Sequence, residues 1–99
     1  MAFQIIWSET ASEDLREIVR YIALDDSIAA ARLADRIVSR IEMAGNLPLS
    51  NRTVPEKDDK TIRESILKPY RIIYQVDDGR NAIHILRIWH ASRGVPDVD

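Results

Sequence analysis

The sequence predicts an α+β domain: an N-terminal strand, an antiparallel two-helix hairpin, and an antiparallel sheet ending in a three-stranded meander. Three observations predict it. The stretch from Ile62 to Arg93 holds three runs rich in Ile, Tyr, Val and Trp, split by Lys68-Pro69 and by Asp77-Asp78-Gly79-Arg80-Asn81. Two turn signals between β-prone runs read as a meander. Upstream, residues 11–44 carry apolar side chains at helical spacing in two blocks. Finally, a chain of 99 residues buries a single core. The domain is expected to span residues 1–93. Residues 94–99, without hydrophobic pattern, are expected to fray.

Phe3 to Trp7, FQIIW, is a short β-prone run, followed by Ser8 or Thr10 as a helix cap; Thr10 and Glu13 fit a capping box. Ala11, Leu15, Ile18, Val19 and Ile22 then share one helical face, leaving Glu13, Asp14, Arg16, Glu17 and Arg20 on the other. Asp25-Asp26-Ser27 breaks this pattern and caps a second helix. Its Ala30, Ala34, Ile37, Ile41 and Ala44 make a narrow seam for packing against another helix. Gly45 stands where a left-handed C-cap would close it, with Pro48 just beyond. Leu47 to Thr61, with two prolines and the charged run Glu56 to Lys60, reads as a solvated loop. Loops often carry function, which singles out Arg52 and Glu56.

In the meander, Tyr70, Ile72, Tyr74 and Val76 line one side of their strand, and Arg71, Ile73, Gln75 and Asp77 the other. Strict alternation along the last run groups Ile83, Ile85, Arg87 and Trp89 against His84, Leu86, Ile88 and His90. Both faces are half apolar, as befits a central strand.

Composition excludes several classes. The hydrophobic share of 45% and charged share of 30% are those of a globular domain. No apolar run reaches the ~18 residues of a membrane span, and the N-terminus has no signal-peptide pattern, so the cytoplasm is the expected location. Without cysteine there is neither disulfide nor thiolate chemistry. The net charge of −2 hides an asymmetry: residues 1–45 carry eight acids against five bases, residues 60–93 seven bases against three acids. A basic segment suits a polyanion, but a pI of 5.6 is low for a dedicated nucleic-acid binder.

There is no GxSxG, no HExxH and no glycine-rich phosphate loop, and His84 and His90 are too far apart along one strand to share a metal unaided. No metal or other cofactor is expected. What remains is Arg, Glu and His on a sheet. Glu56, Arg71 and His90, supported by Arg63, Arg87 or Arg93, have the chemistry for metal-free phosphodiester transfer: one group takes a 2′-hydroxyl proton, another protonates the leaving oxygen, and arginine stabilises the phosphorane. The same arginines equally suit sheet-face ion pairs. On the second helix Arg32, Arg36 and Arg40 form a basic row that suits either a solvated face or the edge of a groove for an acidic, apolar partner segment.

The order of WSETASEDLREIVRYIALDD, an Ala-rich second helix, then P-E, I-R-E, Y-R-I-I-Y and I-L-R-I-W-H-x-x-R resembles the RelE/ParE superfamily of toxins from bacterial type II toxin-antitoxin pairs, over Phe3 to Pro96. The resemblance implies a growth-arresting or plasmid-stabilising toxin held in check by a cognate antitoxin, for which the basic row Arg32, Arg36 and Arg40 is the candidate contact. RelE-like and YoeB-like members are ribosome-dependent, metal-independent messenger-RNA endonucleases, and the YoeB-like Glu, Arg and His fall by order on Glu56, Arg71 and His90. The aromatic that follows the histidine in that group is replaced by Ala91. ParE-like members inhibit DNA gyrase, and the W-S-x-x-A-x-x-D-L opening is similar to theirs. A third possibility is a non-toxic module that keeps the fold and binds the antitoxin.

Overall fold

A computed structural model describes residues 2–98. Met1 and Asp99, included in the expected domain and tail, lie outside it. Strand β1 (Gln4–Trp7) leads into helices α1 (Glu9–Ala23) and α2 (Ser27–Asn46), followed by the short strand β2 (Arg52–Thr53) and the meander β3 (Ile62–Leu67), β4 (Tyr70–Asp77) and β5 (Ala82–His90). The sheet order is β1-β5-β4-β3-β2. The α+β architecture is as the sequence predicts. One pairing departs from an all-antiparallel sheet, because β1 runs parallel to β5, Gln4 opposite Ala82 and Trp7 opposite Ile85. Periodicity carries no information about which edge a first strand joins.

Local chemistry explains the boundaries. Ser8, not Thr10, caps α1: its Oγ accepts from Ala11 N at 2.9 Å, and Thr10 lies inside the helix. Asp26 caps α2 through Ile28 N and Ala29 N. Gly45 differs from its expected role. It belongs to α2, and a Cβ there would meet Ile5 side-chain atoms at 3.2 Å, so the glycine lets the helix lie close on β1. The β3–β4 turn contains a cis Lys68–Pro69 bond, and Asn81, with φ 53°, enters β5 after a single 3-10 turn.

The α2 seam is buried as its spacing demands: Ile37, Ile41 and Ala44 pack with Ile72, Tyr74, Ile83, Ile85 and Ile88 in the core between helices and sheet. Each such Ile contributes roughly 1.5–3 kcal/mol. The opposite sheet face carries a second, smaller cluster of Val54, Ile62, Ile73 and Trp89, with Leu86 and Val98 against it. The 47–61 segment therefore does more than connect. Val54 is buried in that cluster, Tyr74 Oη donates to Pro48 O at 2.7 Å, and Arg63 donates to the carbonyls of Leu49, Asn51 and Lys60. The tail expected to fray also packs back through residue 98: Trp89 Nε1 donates to Gly94 O, Arg87 to Asp97 O, and Val98 joins the second cluster.

Alternation along β5 is interrupted. Ile73 pairs with Arg87 while Tyr74 pairs with Ile85, leaving Leu86 as the extra residue of a bulge. Ile83, Ile85 and Ile88 therefore all face the helices, and Arg87 and Trp89 face away. Beyond the end of β1 the open edge of β5 is completed by side chains: Ser8 Oγ donates to Leu86 O, and Asp14 Oδ2 accepts from Ile88 N at 3.0 Å.

Candidate functional site

On the sheet face away from the helices the polar chemistry gathers around Arg71. Its Nη1 and Nη2 donate to both oxygens of Glu56, at 2.9 and 2.7 Å, and its Nε donates to Glu64 Oε1 at 2.6 Å. Glu64 Oε2 accepts from Arg52 Nε, also at 2.6 Å. Strand register places these groups together. Arg52 lies opposite Glu64 across β2 and β3, Glu64 lies opposite Ile73, and Arg71 is two residues along the same face of β4. Glu64 is 1% exposed, so a buried carboxylate stands between two guanidiniums. A buried charge is tolerated only when paired in this way. The hydrogen bonds from Arg71 hold the Glu56 carboxyl below its ordinary 4.5, and Glu56 in turn raises the Arg71 guanidinium above its ordinary range.

His90 does not join this cluster. It pairs with Tyr70, whereas Arg71 pairs with Trp89, so His90 projects from the helix face of the sheet and Arg71 from the other. The His90 ring sits edge-on to Tyr70 at 5.3 Å, and its Nδ1 lies 3.2 Å from Ser92 N and 2.7 Å from Ser92 Oγ. The structure thus brings Glu56 to Arg71 and leaves His90 across the sheet. Of the supporting arginines, Arg63 is spent on loop carbonyls. Arg87 forms a two-point ion pair with Asp14, at 2.8 and 2.9 Å, which raises its guanidinium further. Arg87 and Arg93 both lie over the Trp89 ring, at 4.9 and 4.2 Å. Among the described residues no three His, Asp or Glu side chains converge as a metal site would require.

A family model described as the ParE toxin of the parDE type II toxin-antitoxin system matches residues 5–95. The chain belongs to the RelE/ParE superfamily of type II toxins. Toxin RelE2 of Caulobacter vibrioides is 35% identical over 91 residues, covering 91% of this toxin and 97% of that protein. The fold is shared with the chromosomal ParDE system of P. aeruginosa, TM-score 0.72 and 23% identity, over 90% of this toxin and 96% of that chain. It is shared also with the RelBE2 toxin-antitoxin complex of Mycobacterium tuberculosis, TM-score 0.69 and 18% identity, over 91% and 92%.

Within the toxin, the basic row of α2 is not uniform. Arg32 and Arg36 are exposed, but Arg40 folds against the sheet and donates from Nη1 to Ile66 O at 2.6 Å. Two acids in the toxin's charge networks were not expected there. Glu64 sits among apolar residues in a strand, where alternation marks its face but not its partners. Asp14, placed by helical spacing on the polar face of α1, is buried because the unpaired end of β5 needs an acceptor. Its neighbour at residue 11 in the seam was the only available signal.

Proposed function

We propose that this toxin arrests growth as ParE does, by inhibiting DNA gyrase rather than by cutting messenger RNA, and that a cognate antitoxin holds it in check. The observation that carries this reading is the state of Arg71. A ribonuclease of the YoeB type needs a guanidinium open to the scissile phosphate and an imidazole within hydrogen-bond reach of the same bond. Here the Arg71 fork is occupied by Glu56 and Glu64, and His90 stands on the other side of the sheet. An excess of acids over bases, 16 against 14, also favours a protein target over a polyanion. Support for the antitoxin comes from the family itself and from the solved ParDE and RelBE2 assemblies that share the fold.

A pulse of expression in a bacterium tests this directly. DNA synthesis is expected to stop while messenger RNA on ribosomes stays intact, and the His90→Ala variant is expected to remain toxic. Early cleavage of ribosome-bound messenger RNA, abolished by His90→Ala, would establish the nuclease instead. Unimpeded growth with soluble protein accumulating would leave a non-toxic antitoxin-binding module.

A further inference from the structure

Between the last turns of α2 and strand β3, on the helix side of the sheet, lies a cleft of about 250 Å³ lined by Arg40, Met43, Asn46, Leu47, Asn51 and Ser65. Two side chains in it keep hydrogen-bonding capacity that the chain does not use. Ser65 is 4% exposed and its hydroxyl makes no hydrogen bond among the described residues. That hydroxyl faces the cleft rather than packed protein, since no sealed side-chain oxygen is left unpartnered among the described residues. Open to the cleft, it is free to donate to or accept from whatever enters there. Arg40 is half-buried and, among the described residues, donates only to the Ile66 carbonyl. No carboxylate lies within ion-pairing distance of it among the described residues, whereas the equally half-buried Arg71 and Arg87 each have one and Arg63 donates to three loop carbonyls. The guanidinium keeps further N–H donors for an acceptor that the chain does not supply.

We infer that this cleft is a socket for a carboxylate side chain carried by an apolar peptide segment of the antitoxin, with Arg40 and Ser65 as the groups that receive it. The inference rests on the reading above that a cognate antitoxin exists. Charge selects an anion, and the rim selects its source. Met43 and Leu47, 61% and 66% exposed, border the cleft, with Leu49 exposed just beyond. Large apolar side chains at a rim match apolar neighbours of a peptide acid and offer nothing to a sugar-phosphate chain. The end of α2 sharpens the choice. Its carboxyl terminus carries roughly half a negative charge, which repels a doubly charged phosphate more than a singly charged carboxylate. That repulsion is softened here, because Met43 O and Gly45 O are already taken by Leu47 N and Phe3 N. The volume equals about eight waters at ~30 Å³ each, room for a glutamate side chain.

The test uses the full-length toxin, isotope-labelled by cell-free synthesis, titrated with acetyl-Leu-Glu-Leu-amide, its Gln counterpart, or inorganic phosphate. The Glu peptide is expected to shift the Ser65 and Ile66 amides and the Arg40 Nε–H. The Gln peptide should bind about tenfold more weakly, the effect of one charge-assisted hydrogen bond. Ser65→Ala, which changes only the hydroxyl, should weaken the Glu peptide about threefold to tenfold with the fold unchanged. Equal binding of the Glu and Gln peptides, tighter binding of phosphate at the same residues, an unaffected Ser65→Ala variant, or no shift at all would each overturn the socket. Growth arrest is read separately. A toxin that arrests growth but ignores the Glu peptide loses the socket and keeps the proposed function. One that binds the peptide without arresting growth does the reverse.

Discussion

Replacing Glu64 with leucine removes the central acid of the Arg52–Glu64–Arg71 row. On the Arg52 side little is at stake, because that guanidinium is largely solvated and exposed pairs contribute only about 0–1 kcal/mol. The Arg71 side chain, however, is 11% exposed and would keep only its bonds to Glu56. Breaking a buried pair from one side costs about 3–5 kcal/mol, and the surviving Glu56 fork places this case near the lower limit, about 3 kcal/mol. For a domain of this size that corresponds to a fall in Tm of about 12–24 °C at 4–8 °C per kcal/mol. Urea unfolding followed by Trp fluorescence measures it, since Trp89 is buried on the same sheet face. The double variant Glu64→Leu/Arg71→Leu should recover much of the loss, because it leaves no unpaired charge. A single-variant loss below about 1 kcal/mol, or a double variant less stable than the sum of its parts, would refute the idea that these charges depend on one another.

Asp14→Ala strands Ile88 N and Arg87 together, so a loss of about 3 kcal/mol is expected, with hydrogen exchange at the Ile88 amide accelerated before that at Ile73. Tyr74→Phe deletes the hydroxyl that ties β4 to Pro48 O and should cost about 1–3 kcal/mol by urea titration, with increased mobility confined to residues 47–51. Because Arg71 holds the Glu56 carboxyl below 4.5, its contribution is fully present above that pH and is lost as acidification passes the lowered value. Amide resonances of residues 56–58 should therefore hold steady down to about pH 5 and move only below 4.5; movement near pH 6 would contradict this. Arg71→Ala is expected to remain toxic, as His90→Ala is, and loss of toxicity in a folded Arg71→Ala protein would return Arg71 to a direct role.

The helix seam and the meander were legible because each follows a period that backbone geometry imposes: Ile37, Ile41 and Ala44 recur at helical steps, and Ile72, Tyr74 and Val76 at the step of a strand. Arg71 likewise falls on the face that parity assigned to it. His90 was grouped with Glu56 and Arg71 by residue type and chain order, which do not assign it a face. Its register depends on the Leu86 bulge, which turns the last residues of β5 over, and nothing in IHILRIWH announces an inserted residue. Partners were less legible than faces. That Arg71 would be claimed by two acids, one from β3 and one from the loop, depends on strand order, which carries no periodic signature. The same holds for Asp14, whose burial answers to a strand more than seventy residues away.

The position of β5 between β1 and β4 has a consequence for synthesis on the ribosome. The first strand and both helices emerge early, yet β1 finds its hydrogen-bonding neighbour only in residues 82–85, and the core under the hairpin stays incomplete until Ile83, Ile85 and Ile88 of the last strand are translated. Closing so long a loop is entropically costly and is repaid only when those late contacts form. A nascent chain halted at residue 81 should be digested by a protease that spares the finished protein. A stop before β5 is therefore expected to leave a degradable fragment in place of the folded protein.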